Sequence, residues 1–115
     1  MAISEFEIKR CERELEKFLE KHRPPTHIRL RIDIGYRINN QSVEIFEVRP
    51  YRKNPEETTE TPVAKATYAK KHNHWVVYWR RADMKWHSYE PEPTVKRLED
   101  FLDLISEDKH RCFFG

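Results

Sequence analysis

The chain has 115 residues and a formal net charge of +2, from 22 Lys and Arg against 20 Asp and Glu. Charged and hydrophobic residues each make up 37%, and the mean hydropathy is -0.95. That length and composition predict one domain over residues 1–115 with a thin core, and exclude a bilayer-spanning helix, a collagen-like or low-complexity chain, a coiled coil and a disulfide mini-protein.

Ser4 and Glu7 form a capping box, supplying acceptors for the free N–H groups of a helix start. Ile8, Cys11, Leu15, Phe18 and Leu19 follow at helical spacing, and Pro24-Pro25 stops the run, so a helix is predicted from Glu5 to Arg23. Ile28, Leu30, Ile32, Ile34, Tyr36 and Ile38 then alternate with Arg29, Arg31, Asp33, Gly35 and Arg37, the pattern of a half-buried strand. Gly35 inside it marks a bulge or a close backbone approach. Asn39-Asn40 suits a tight hairpin, and a second strand runs from Ser42 to Val48. Its register stays open, since Val43 and Ile45 have one parity and Phe46 and Val48 the other.

From Pro50 to Pro62, three prolines, three glutamates and a Thr-rich run predict a loop. Strands are expected from Val63 to Lys71, over Trp75-Val76-Val77-Tyr78-Trp79, and from Lys85 to Tyr89, joined by turns at His72-Asn73-His74 and Arg81–Met84. Pro93 suits the first turn of a last helix, with Val95, Leu98, Phe101, Leu102 and Ile105 as its stripe. Phe113 and Phe114 are expected to tuck onto the fold. The result is an α+β fold: a helix, an antiparallel meander of about five strands and a second helix, with both helices on one sheet face.

The first residues form no basic, apolar leader. Cys11 and Cys112 make no C-x-x-C pair, so a cytoplasmic protein with reduced thiols is expected. Charge is unevenly divided: residues 21–53 and 65–87 each carry +5, while 1–20, 54–64 and 88–115 carry -2, -3 and -3. The strands are therefore basic. If both helices cover one face, Arg29, Arg31, Arg37, Lys65 and Arg80 are available to line the other. A basic sheet with interleaved aromatic rings suits phosphates and bases, although solvated strands also carry Lys and Arg to protect their edges.

Catalytic constellations are thin. His72, His74 and His87 lack the spacing of a zinc site. Ser42 and Ser88 sit outside any nucleophile elbow, and two glycines build no phosphate loop. Asp33, Glu44 and Glu47 with Lys65 resemble a metal-nuclease set but miss its acid-x-Lys step, and cross-strand ion pairs account for them equally. No cofactor is implied.

Several stretches together carry a resemblance: Ser4-Glu5-Phe6-Glu7, Arg23-Pro24-Pro25, Val43 to Pro50, Pro62 to Tyr68, Trp86-His87-Ser88-Tyr89-Glu90-Pro91 and Cys112-Phe113-Phe114-Gly115. The set resembles a small bacterial family of uncharacterised proteins, a domain of unknown function. That resemblance implies a free-standing bacterial domain and transfers no activity. Binding is favoured over catalysis, with a polyanion, most of all nucleic acid, as ligand. Arg80, Arg81 and Lys85 would meet phosphates, and Trp79, Trp86 and Tyr89 would offer stacking surface. The alternatives are a protein-interaction domain or homodimer, through a sheet edge or the aromatic tail, and a small metal-dependent hydrolase using His72, His74 and Glu44 or Glu47. Trp79 and Trp86 as a cross-strand core pair is the purely structural alternative.

Overall fold

A computed structural model describes residues 5–22, 27, 32–51, 53–54, 56–108 and 113. In chain order these form α1 (Glu5–His22), β1 (Asp33–Asn39), β2 (Ser42–Pro50), β3 (Thr58–Ala69), β4 (His74–Arg80), β5 (Trp86–Ser88), β6 (Thr94–Val95) and α2 (Leu98–Glu107). The α+β class, the antiparallel meander and both flanking helices match the sequence expectation. Ser4, Arg23 to Pro25, Ile28 to Arg31 (Arg29 included), Cys112, Phe114 and Gly115 lie outside the described residues.

Helix α1 buries Cys11, Leu15 and Phe18, three positions of the predicted stripe. At the first hairpin Asn40 takes a left-handed φ of 56°, a conformation Asn tolerates better than most residues. Asn73, with φ 53°, does the same in the turn from β3 to β4.

The strands follow the order β1-β2-β3-β4-β5, and β6 also pairs with β4. The far edge of β4 is thus shared. β5 takes Tyr78–Arg80 and β6 takes Trp75–Val76. Between them the Val77 N–H donates to Pro93 at 2.9 Å and the Val77 carbonyl accepts from Tyr89 at 3.0 Å.

Two expectations need correction here. The predicted loop over Pro50–Pro62 is only 51–57, because Thr58 to Pro62 belong to β3. β-Branched Thr58, Thr59 and Thr61 favour extended backbone and pair with Pro50, Arg49 and Glu47 in turn, which outweighs the Pro-rich composition. Pro62 is tolerated because a bulge falls beside it: Ile45 faces Ala64 but Phe46 faces Pro62, so no regular ladder bond is lost. Pro93 does not open α2. Its carbonyl serves β4, Thr94–Val95 forms β6, and the helix starts at Leu98. There Asp100 accepts the Arg97 N–H at 3.3 Å, closing the helix start three residues in.

Both helices pack on one side of the sheet and on each other. Leu98, Phe101, Leu102 and Ile105 of α2 are buried. Below them the cross-strand rows Tyr36-Ile45-Ala64-Trp79 and Ile38-Val43-Ala66-Val77 present small side chains at the centre. Ala64 and Ala66 are fully buried there, and of the two helices it is α2 that approaches β3, as small side chains permit. Phe113 does tuck back, buried with its ring 4.9 Å from that of Tyr89. Among the described residues no helix is long and apolar enough to cross a membrane.

Candidate functional site

Among the described residues, no helix lies on the opposite face of the sheet. Alternation assigns it Asp33, Gly35 and Arg37 from β1, Ser42, Glu44, Phe46 and Val48 from β2, and Lys65 and Thr67 from β3. From β4 and β5 come Tyr78, Arg80, Trp86 and Ser88. One transverse row reads Arg37-Glu44-Lys65-Tyr78-Ser88. The open register of β2 is thereby resolved: Val43 and Ile45 point to the helices, and Phe46 and Val48 point away.

Phe46 is nonetheless buried, at 7% exposure, because Gly35 lies directly beneath it. A Cβ on Gly35 would stand 2.7 Å from Cε2 and 2.8 Å from Cζ of that ring. The guanidinium of Arg37 covers the ring from above, 4.6 Å from its centroid, and pairs with Glu60. Glycine in this strand is therefore the close approach expected of it, made by a ring lying across the backbone.

The centre of the face is built around Lys65. Its ammonium lies 4.9 Å from the Tyr78 ring centroid and 5.0 Å from that of Trp86, so both rings attract one cation. A hollow of about 600 Å³ opens beside it, lined by Asn39, Asn40, Gln41, Ser42, Glu44, Lys65, Thr67 and Trp86. Ser42 and Thr67 hydroxyls bond to each other at 2.8 Å.

Charge is unevenly divided along the chain. Residues 65–87 hold six Lys or Arg against Asp83 alone, whereas Leu98 to Asp108 hold five carboxylates and no Lys or Arg. Lys70 and Lys71 stand in the turn at one end of β4, Lys65 and Arg80 along the strands, and Arg81 and Lys85 in the turn at the other end. The β4–β5 turn is held by Asp83, which accepts the Lys85 N–H at 2.9 Å and the His87 ring N–H at 2.8 Å. Those two bonds keep its carboxyl below the usual range.

The six residues singled out from the sequence do not share one surface. Arg80 and Trp86 are direct cross-strand partners on the open face. Lys85 is exposed in the adjoining turn. Trp79 faces the helices, opposite His87, with the Arg81 guanidinium 5.4 Å from its ring. Tyr89 is only 3% exposed and packs on Phe113. Trp79 and Trp86 are therefore not a core pair, since they occupy opposite faces. Of the five arginines and lysines expected to line the uncovered face, Arg37, Lys65 and Arg80 do share it; Arg29 and Arg31 are outside the described residues. Tyr78 is not among the six, although the alternation of His74, Val76, Tyr78 and Arg80 against Trp75, Val77 and Trp79 places it beside Arg80.

The catalytic alternatives come apart in space. His72 and His74 stack with ring centroids 5.4 Å apart. Among the described residues, though, no three His, Cys, Asp or Glu side chains converge. Glu44 lies on the open face and Glu47 on the helix side, where it accepts from Arg49 at 3.0 Å. The sheet thus separates Glu47 from Asp33, Glu44 and Lys65, which share the open face.

No curated protein and no solved structure matches the chain. The family pattern of DUF3024, a domain of unknown function, matches residues 3–115, nearly the whole length. The chain belongs to that family.

Proposed function

We propose that the open sheet face binds single-stranded nucleic acid. One observation carries this reading: the ammonium of Lys65 sits against the rings of Tyr78 and Trp86 on a face that no helix of the described residues covers, midway along a line of cations. A cation beside a ring offers one ligand two contacts at neighbouring points, a phosphate on the charge and a base on the π surface. A duplex hides its base faces, whereas a single strand exposes them, so a face that combines rings with cations selects the latter. Base–ring stacking contributes about 1–3 kcal/mol per base. Lys65, Arg80 and Lys85 supply the phosphate contacts, Trp86 and Tyr78 the stacking.

Fluorescence anisotropy with labelled single- and double-stranded oligonucleotides tests it. Three phosphate contacts on a single strand give a salt slope near -2.1, which is roughly twentyfold weaker binding between 50 and 200 mM salt. Arg80→Glu flattens that slope by about 0.7 or more and weakens affinity for every sequence alike. Absence of binding at low salt, or an unchanged slope in Arg80→Glu, refutes the proposal, and the face then passes to a protein partner.

A further inference from the structure

Glu44 is out of place on a face that takes phosphates, and this is informative. It stands in the transverse row between Arg37 and Lys65, either of which makes a favourable cross-strand partner for a carboxylate. Neither is used. Arg37 turns to Glu60 and the Phe46 ring, and Lys65 turns to Tyr78 and Trp86. Among the described residues Glu44 has no hydrogen-bond or ion-pair partner, and it lines the 600 Å³ hollow shared with Trp86 and the amides of Asn39, Asn40 and Gln41. A volume of that order is typical of small-ligand sites, roughly 300–1,000 Å³.

A carboxylate accepts hydrogen bonds and repels phosphate, so what it meets in this hollow is a group with N–H donors. Adenine and cytosine each present one exocyclic amine, and uracil and thymine present a single ring N–H. Guanine alone has two parallel donors side by side on its Watson–Crick edge, N1–H and the N2 amine, matching both oxygens of a carboxylate. Its ring also offers the largest stacking surface to Trp86, and the O6 and N7 acceptors on its other edge suit the amide N–H donors of Asn39, Asn40 or Gln41.

We infer that the hollow is a guanine-selective base pocket, with Glu44 reading the Watson–Crick edge and Trp86 carrying the ring. This rests on the proposal that the face binds single strands.

The test uses the full chain and a short oligothymidylate carrying one central guanine, hypoxanthine or adenine. Guanine binds about tenfold tighter than adenine. Hypoxanthine, which lacks the N2 amine, falls between them. Glu44→Gln removes the preference and keeps the salt-dependent binding, while an unchanged melting temperature shows that the variant is folded. Equal affinity for all three bases with the salt slope intact overturns the guanine inference and leaves single-strand binding standing. A guanine preference that persists in Glu44→Gln overturns the role of Glu44. Loss of all binding, in the wild type at low salt, overturns both readings.

Discussion

Replacing Gly35 by Ala tests the architecture of the open face. The new methyl would sit 2.7 Å from Phe46, so the ring must retreat by roughly 1 Å to reach ordinary contact distance. Retreat is resisted, because the Arg37 guanidinium caps the ring from the solvent side. A Phe side chain buries roughly 150–250 Å². Exposing about a third of that area, near 60 Å², costs about 1.5 kcal/mol at ~25 cal/mol per Å². Ala recovers ~0.5 kcal/mol through the lower entropy of its unfolded chain. The net loss is therefore about 1 kcal/mol, a fall of roughly 4 °C in melting temperature for a domain of this size. Urea denaturation of Gly35→Ala, Phe46→Ala and the double variant isolates the cause. With the ring gone the clash is gone, so Gly35→Ala in the Phe46→Ala background becomes neutral or stabilising by ~0.5 kcal/mol. Equal destabilisation in both backgrounds would refute the argument that Phe46 requires glycine beneath it.

Other expectations concern the helix side. Tyr89→Ala costs about 3 kcal/mol, since the ring is almost wholly buried against Phe113; Phe113→Ala costs a similar amount, and the double variant less than the sum, by calorimetric melting. Burial, with Glu7 as the next contribution, pushes the Cys11 thiol up to about 11. Peptide mapping after alkylation at pH 8 should show Cys11 labelled about a hundredfold more slowly in the native protein than in urea. Burial and then Lys21 hold His22 below its ordinary value of 6.5, beside the Ser106 hydroxyl at 2.9 Å. The unfolded chain thus takes up this proton first as pH falls, and stability declines from about pH 6.5 downward through the folded value. Urea midpoints at pH 7.5 and 5.5 should differ less in His22→Asn than in the wild type.

Elements with a strong period were readable before any coordinates. The stripe of Cys11, Leu15 and Phe18, and that of Leu98, Phe101, Leu102 and Ile105, needs one apolar surface each, and a sheet with one covered face satisfies both. Shorter elements were not readable in this way. β6 has two residues, Thr94 and Val95, too few for any period, and exists because β5 ends at Ser88 and leaves half of the β4 edge unpaired. Thr58 to Pro62 look like loop by composition and become strand only because β2 is long enough to pair with them.

Site residues were harder for a related reason. Arg80, Arg81, Lys85, Trp79, Trp86 and Tyr89 are close in sequence, and closeness in sequence alternates across a pleated sheet. Parity assigns Arg80 and Trp86 to one face once the β4–β5 register is known, and the same parity sends Trp79 to the other. Tyr89 was unreadable at this level, because it leaves the strand and turns into the core. Glu44 was visible as a charge but not as a carboxylate passed over by both neighbours, which depends on where Arg37 and Lys65 point.

The most direct test of the central claim is a chemical-shift titration of isotopically labelled protein with single-stranded oligothymidylate at low salt. The account predicts that the perturbed amides and side chains cluster at Glu44, Lys65, Tyr78, Arg80 and the Trp86 indole, with α1 and α2 unaffected. Perturbations concentrated on the helices, or none at saturating oligonucleotide, would contradict it.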